Sequence, residues 1–180
     1  ATNARLKALF KRGLDHEDAY VKELTATPGT VVVQIKSADA KEPREEAIAR
    51  TMDAMRSGAD VIVQGALSLV NDDRWFGFAD VLIKVQAPES LGAWSYEVLD
   101  TKLSRETKAG TVLQLALYSM LLEDMQGVRP EHFYVVTPDA KETYRVDDYG
   151  AYCRLIRRHL DEAAREDDAA LATANYPEPV

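Results

Sequence analysis

The sequence predicts an α/β fold: one domain over residues 1–180, with a central mixed β-sheet and helices on both faces. Three observations predict it. Helically spaced segments alternate with β-branched and apolar runs, the order that builds an α/β sandwich. Three strand-like runs follow one another in the middle of the chain, so the sheet contains hairpins. The chain has 180 residues and is 46% hydrophobic, enough for one domain with its own core.

The elements are expected in this order. Leu6, Leu9, Phe10, Leu14, Tyr20, Val21 and Leu24 give residues 4–24 a helical spacing, with Gly13 as a weak point. Thr25-Ala26-Thr27-Pro28-Gly29 is a turn, and the β-branched run from Thr30 to Ile35 is a strand. A helix runs from Glu45 to Ser57, with Pro43 near its start and Gly58 as its C-cap. Asp60 to Val70, Trp75 to Gln86 and Trp94 to Lys102 read as strands, the first two joined by a turn at Asn71-Asp72-Asp73-Arg74. A long helix from Lys108 to Met125 ends at Gln126-Gly127, with Ser104 as a candidate cap. His132 to Thr137 is a strand and Thr143 to Val146 a short edge strand. The last helix, capped by Asp147 or Asp148, runs to about Ala172.

Composition excludes several classes. No apolar run reaches the ~20 residues that span a bilayer, and no apolar segment follows the N-terminus as it would in a signal peptide. A cytoplasmic setting is the default expectation. The chain starts at Ala1 without an initiator Met, which reads as part of a longer protein. Its single cysteine, Cys153, can build neither a disulfide framework nor a thiolate metal site. The net charge of −8 argues against binding nucleic acid by bulk charge, since that affinity comes from cations displacing phosphate counterions. It is compatible with an enzyme that gathers carboxylates around a cation.

The chemistry is expected where Gly77-Phe78-Ala79-Asp80 precedes Glu97-Val98-Leu99-Asp100-Thr101-Lys102. Side chains alternate along a strand, so Asp100 and Lys102 share a face with Tyr96 and Val98, while Glu97, Leu99 and Thr101 point the other way. Charges in an otherwise apolar strand are expensive to bury unless paired or metal-bound. If the two strands pair, Asp80 lies beside Asp100, and two close carboxylates favour a cation between them. A hard divalent ion fits, because Mg²⁺ commonly takes one or two carboxylates, waters and substrate phosphate. A lone Asp-x-Lys is common and usually means a strand end with a solvated lysine. Here it is accompanied by Gly77-x-Ala79-Asp80 before it and Gln114-x-x-x-Tyr118 on the next helix.

Together these motifs resemble the PD-(D/E)xK nucleases, and within them the RecB-like group. Gly77-x-x-Asp80 is similar to the first acidic motif, Asp100-Thr101-Lys102 to the D-x-K motif, and Gln114-x-x-x-Tyr118 to the Q-x-x-x-Y motif. Gly13-Leu14-Asp15-His16-Glu17 is similar to the N-terminal motif whose histidine is a metal ligand. The resemblance covers about residues 12–120, in the family's order. It implies a restriction-endonuclease-like sandwich and a nuclease dependent on Mg²⁺ or Mn²⁺. The wording around Asp100-Thr101-Lys102-Leu103 resembles a subfamily joined to a helicase. The chain departs from the family in two ways. Ala79 stands where the family name has proline, and the four cysteines that hold an iron–sulfur cluster in many relatives are missing. The resemblance places such a cluster in the full-length protein, with its cysteines flanking this segment.

The same resemblance implies the roles. Asp80, Asp100 and His16 bind the cation, His16 through a neutral ring nitrogen, and the main-chain carbonyl of Thr101 is a further ligand. Lys102 holds the attacking water or offsets charge at phosphorus. Gln114 and Tyr118, i and i+4 on a helix, lie near the substrate or behind Lys102; their plain reading is a surface Gln and a core-edge Tyr. His16 and the adjacent Glu17 face different ways, so one is the ligand, and His16 is preferred. Arg105 and Lys108 are expected to meet phosphates. Trp75 and Trp94 read as core residues before base-stacking ones. Arg154, Arg157 and Arg158 read as a solvated face paired with Asp161 and Glu162. The implied partner is DNA, single-stranded by preference, cut from an end in repair or recombination, with a helicase nearby. Two alternatives stay open: an inactive nuclease-fold module that holds DNA for a helicase, and an RNase H-like metal-dependent nuclease, which needs no lysine at position 102.

Overall fold

The computed structural model describes residues 12, 16, 19–35, 43–87 and 93–165. Its element order is β1 (Val32–Gln34), α1 (Arg44–Arg56), β2 (Val61–Leu69), β3 (Asp72–Gln86), β4 (Trp94–Thr101), α2 (Ala109–Gln126), β5 (His132–Val136), β6 (Lys141–Arg145) and α3 (Val146–Arg165). The six strands form one open mixed sheet in sequence order. β1 runs parallel to β2, and β4 parallel to β5; the other neighbours are antiparallel. The expected α/β sandwich is therefore the observed architecture.

Both faces are covered. On one, Ile62, Leu82, Tyr96, Val98, Phe133 and Val135 form the main core with residues of α1, α2 and α3. On the other, Val61, Val63, Val81, Leu99 and Val136 pack with Tyr20, Val21 and Leu24, the last three from the helical stretch 19–24. Each large apolar side chain fully buried here contributes roughly 1.5–3 kcal/mol. The alternation foreseen for β4 holds, with Tyr96 and Val98 facing the main core and Leu99 the smaller one.

Polar groups dock the helices. Thr51 Oγ1 of α1 donates to the Ala47 carbonyl and accepts the Ala66 N–H of β2 at 3.0 Å. Gln126, buried at the end of α2, accepts from the Tyr96 N–H at 2.9 Å and donates to the Tyr96 carbonyl at 3.2 Å. It thus bonds β4 at a residue that precedes the first β4–β5 pair, Val98 with Phe133. α2 ends at Gly127, whose φ of +75° is the left-handed conformation that glycine adopts without strain.

Several boundaries differ from expectation. β3 begins at Asp72, so the hairpin turn is Val70-Asn71 and Arg74 lies within the strand, ion-paired to Asp72 at 2.6 Å. Ser104 does not cap α2: the N-cap is Lys108 and has no side-chain cap bond, while the Ser104 hydroxyl closes a local turn onto the Glu106 carbonyl and N–H. Asp147 and Asp148 lie inside the first turn of α3, not before it, and Asp147 binds Arg129 at 2.9 Å. The edge strand is β6, two residues earlier than foreseen. Apart from residues 12 and 16, which are helical, the expected helix before residue 19 lies outside the described residues, as does the last helix beyond residue 165.

Candidate functional site

The β3–β4 ladder ends one step short of Asp80 and Asp100. Its pairs run from Gln86 with Trp94 to Val81 with Leu99. One further step in this register sets Asp80 opposite Asp100, and directly opposed residues of an antiparallel pair stand roughly 5 Å apart. On its other side Asp100 pairs in parallel with Val135 of β5, so it sits at the centre of the sheet on the face covered by helices.

Asp100 is 4% exposed, and its two oxygens are treated differently. Oδ2 lies 2.6 Å from Lys102 Nζ. Oδ1 is buried and has no hydrogen-bond partner among the described residues. A buried carboxylate oxygen without a donor costs on the order of 1–3 kcal/mol or more, so the fold holds a local demand for positive charge. Lys102 follows the end of β4, where its N–H still bonds the Val136 carbonyl at 2.8 Å, which anchors the main chain at the root of the side chain. Thr101 is buried between the two.

Asp80 is half-buried, and its Oδ1 accepts from Gln64 Nε2 of β2 at 3.3 Å. Gln64 was not foreseen as part of the site. Its φ of +53° makes it the non-glycine residue with positive φ among those described, a conformation that costs roughly 1–2 kcal/mol for a side-chain-bearing residue. The β2–β3 ladder passes from Val63 with Val81 to Gly65 with Ala79, skipping Gln64 and Asp80. The strands also change face here. Ile62 and Gly65, three residues apart, turn the same way, since a Cβ on Gly65 would lie 3.6 Å from Ile62 Cγ2 and 2.8 Å from Leu82 Cδ1. The sequence signal was available: one amide followed by glycine inside Val61-Ile62-Val63-Gln64-Gly65-Ala66.

Gln114 and Tyr118 meet on α2, where Gln114 Nε2 donates to Tyr118 Oη at 3.2 Å. Tyr118 packs onto Gly77, three residues before Asp80. A Cβ on Gly77 would lie 2.7 Å from Tyr118 Cε1 and 2.8 Å from its Oη, so glycine is what lets the ring approach β3. This contact joins two of the sequence motifs in space.

Other expected residues are placed as follows. His16 is partly buried, and its Nε2 is buried without a hydrogen-bond partner among the described residues; Glu17 lies outside them. Arg105 and Lys108 are exposed, Arg105 in a solvated 3.5 Å ion pair with Asp139. Trp75 and Trp94 pack against the main core, their indole N–H groups donating to Asp161 and to the Met55 carbonyl. Arg157 and Arg158 pair with Asp161 and Glu162 at 3.7 and 3.8 Å, as the spacing indicated. Cys153 is buried, and burial pushes its thiol above the ordinary range.

Among the described residues, no group of three or more His, Cys, Asp or Glu side chains could hold a metal ion. What they present is two aspartates one step beyond the last β3–β4 pair, Val81 with Leu99, and on Asp100 a buried oxygen without a hydrogen-bond partner among the described residues. That donor set fits a hard divalent cation, which completes its shell with water and substrate oxygens. It does not suit a soft metal, which favours thiolate ligands. No described helix is long and apolar enough to cross a membrane. No family model matches the chain, and no curated protein matches it in sequence.

Proposed function

We propose that the chain is a nuclease of the PD-(D/E)xK type, RecB-like, that hydrolyses DNA phosphodiester bonds with Mg²⁺ or Mn²⁺. The observation that carries this reading is Asp100, with one oxygen on Lys102 and the other buried and without a hydrogen-bond partner among the described residues. Asp80 and Asp100 would hold the cation, with His16 Nε2 and the Thr101 carbonyl as further donors. When bound, the ion supplies Lewis-acid activation of water and neutralises charge on the phosphate. Lys102 orients the attacking water through its ammonium and offsets the charge that develops on the phosphate oxygens. The side chain of Lys102 is 37% exposed, so its head reaches both Asp100 and solvent. Gln114 and Tyr118, braced on Gly77, line the approach to β3. Arg105 and Lys108 position the strand, the weak surface pair of Arg105 with Asp139 being easily exchanged for a phosphate. The preferred substrate is single-stranded DNA degraded from an end, and the working partner is a helicase in the same or a neighbouring chain.

The test is cleavage of end-labelled single- and double-stranded DNA with Mn²⁺, with Mg²⁺ and with EDTA, beside Asp100→Ala and Lys102→Ala. The expected result is metal-dependent cleavage that is lost in both folded variants. A Lys102→Ala variant as active as the parent would point to carboxylate-only chemistry of the RNase H kind. Absence of cleavage together with absence of Mn²⁺ binding by calorimetry would overturn the enzyme reading and leave a DNA-holding module.

A further inference from the structure

We propose that Gln64 is a positioning residue for the metal centre: its strained backbone and its side-chain amide together hold Asp80 in the orientation that receives the cation. The inference rests on the metal-dependent reading above and adds a residue to it from β2.

Three independent observations meet at this position. Gln64 adopts φ +53° in mid-strand, where glycine would be strain-free and the adjacent Gly65 is regular. The ladder is interrupted at Gln64 and Asp80 alone between Val63–Val81 and Gly65–Ala79. The Gln64 amide spans that interruption to Asp80 Oδ1 at 3.3 Å. Backbone strain of this kind persists only where the surroundings over-determine it, and it concentrates at functional sites. The flanking pairs do over-determine it, because Ile62, Val63 and Ala66 are all buried in regular pairs on either side.

The physical consequence is specific. A carboxylate side chain turns about its own bonds, and a donor on a neighbouring strand fixes one of its orientations. The Gln64 side-chain amide donates to Asp80 Oδ1 across the gap in the β2–β3 ladder. In the metal-dependent reading, the carboxylate so oriented is the one offered to the cation. A donor behind a carboxylate ligand fixes its orientation without competing for the metal, and loss of such a partner typically weakens metal binding 10–100-fold.

The experiment compares wild type with Gln64→Gly and Gln64→Asn in the intact chain, measuring Mn²⁺ affinity by calorimetry, thermal stability without metal, and DNA cleavage against Mn²⁺ concentration. Glycine removes the amide and tolerates the positive φ; asparagine also tolerates it but carries an amide one methylene short. Both variants are expected to keep or raise the melting temperature without metal. Both should weaken Mn²⁺ binding about tenfold or more, and cleavage should recover at high Mn²⁺. Unchanged Mn²⁺ affinity in a folded variant would overturn the role of Gln64 while leaving the metal centre standing. A wild type that binds no Mn²⁺ would remove the centre itself, and the role of Gln64 with it.

Discussion

Two acids on β4, three residues apart and on opposite faces of the sheet, are buried to the same degree and answered in opposite ways. Glu97 is 3% exposed and Asp100 4%. Glu97 Oε1 accepts from the Glu131 and His132 N–H groups at 3.1 and 2.8 Å, and Oε2 accepts from the Tyr134 hydroxyl at 2.6 Å. Lys141 lies over the Tyr134 ring at 4.1 Å; burial pushes its ammonium below the ordinary lysine range, and the Glu97 carboxylate pulls it back. Asp100 has Lys102 on one oxygen and nothing described on the other. A buried charge with every lone pair met locks strands together. A buried charge left partly open is a liability to the fold, retained where something else is to bind. Glu97 is therefore closed within the fold, and Asp100 is the open acid on which the proposed function rests.

The largest expected effect tests the architectural acid. Glu97→Leu strands two main-chain N–H groups and a phenol and should cost roughly 2–4 kcal/mol, lowering the melting temperature on the order of 10 °C for a chain of this size. Calorimetric unfolding checks it, and a loss too small to resolve would erase the distinction between the two acids. A smaller effect of different sign is expected at the open one. Asp100→Asn removes a partly unpaired buried charge, so the metal-free protein should be as stable as wild type or more so, within about 1 kcal/mol. Millimolar Mn²⁺ should then raise the melting temperature of wild type but not of the variant, because a ligand stabilises only the state that binds it.

The smallest effect is a pH dependence. Burial, followed by the Glu97 carboxylate, raises the Tyr134 phenol well above the ordinary tyrosine range. A group whose folded pKa is raised contributes stability that is present below its unfolded value of about 10 and is lost as pH rises above it. Tyr134→Phe should cost about 1 kcal/mol at neutral pH and shed part of the alkaline loss that wild type shows above pH 10. An identical alkaline limb in the two proteins would mean that other tyrosines carry it.

How much of this was legible beforehand differs by element. The strand runs around Asp80 and Asp100 are long and apolar, so the antiparallel pairing of β3 with β4 follows from their alternation and the short loop between them. The turn lies at Val70-Asn71 instead of 71–74: Asp72 and Arg74 have turn-like side chains, but Asp72 pairs with Leu69 in the ladder and Arg74 is held by Asp72 and by Asp161 of α3. Ser104 looked like a cap because serine favours that position, but its hydroxyl is consumed by its own local turn.

The sequence by itself determined the α/β layering, the strand that carries Asp100 and leads into Lys102, and the helical pair Gln114 and Tyr118, because those rest on periodicity, which is local. Only the tertiary structure decided that Gln64 reaches Asp80, that Gly77 receives Tyr118, and that Glu97 is closed by Tyr134 while Asp100 stays open. Each of these joins residues from different strands or helices, and the energy of a buried polar group depends on which partner the rest of the chain happens to deliver, a quantity that no spacing along one strand contains.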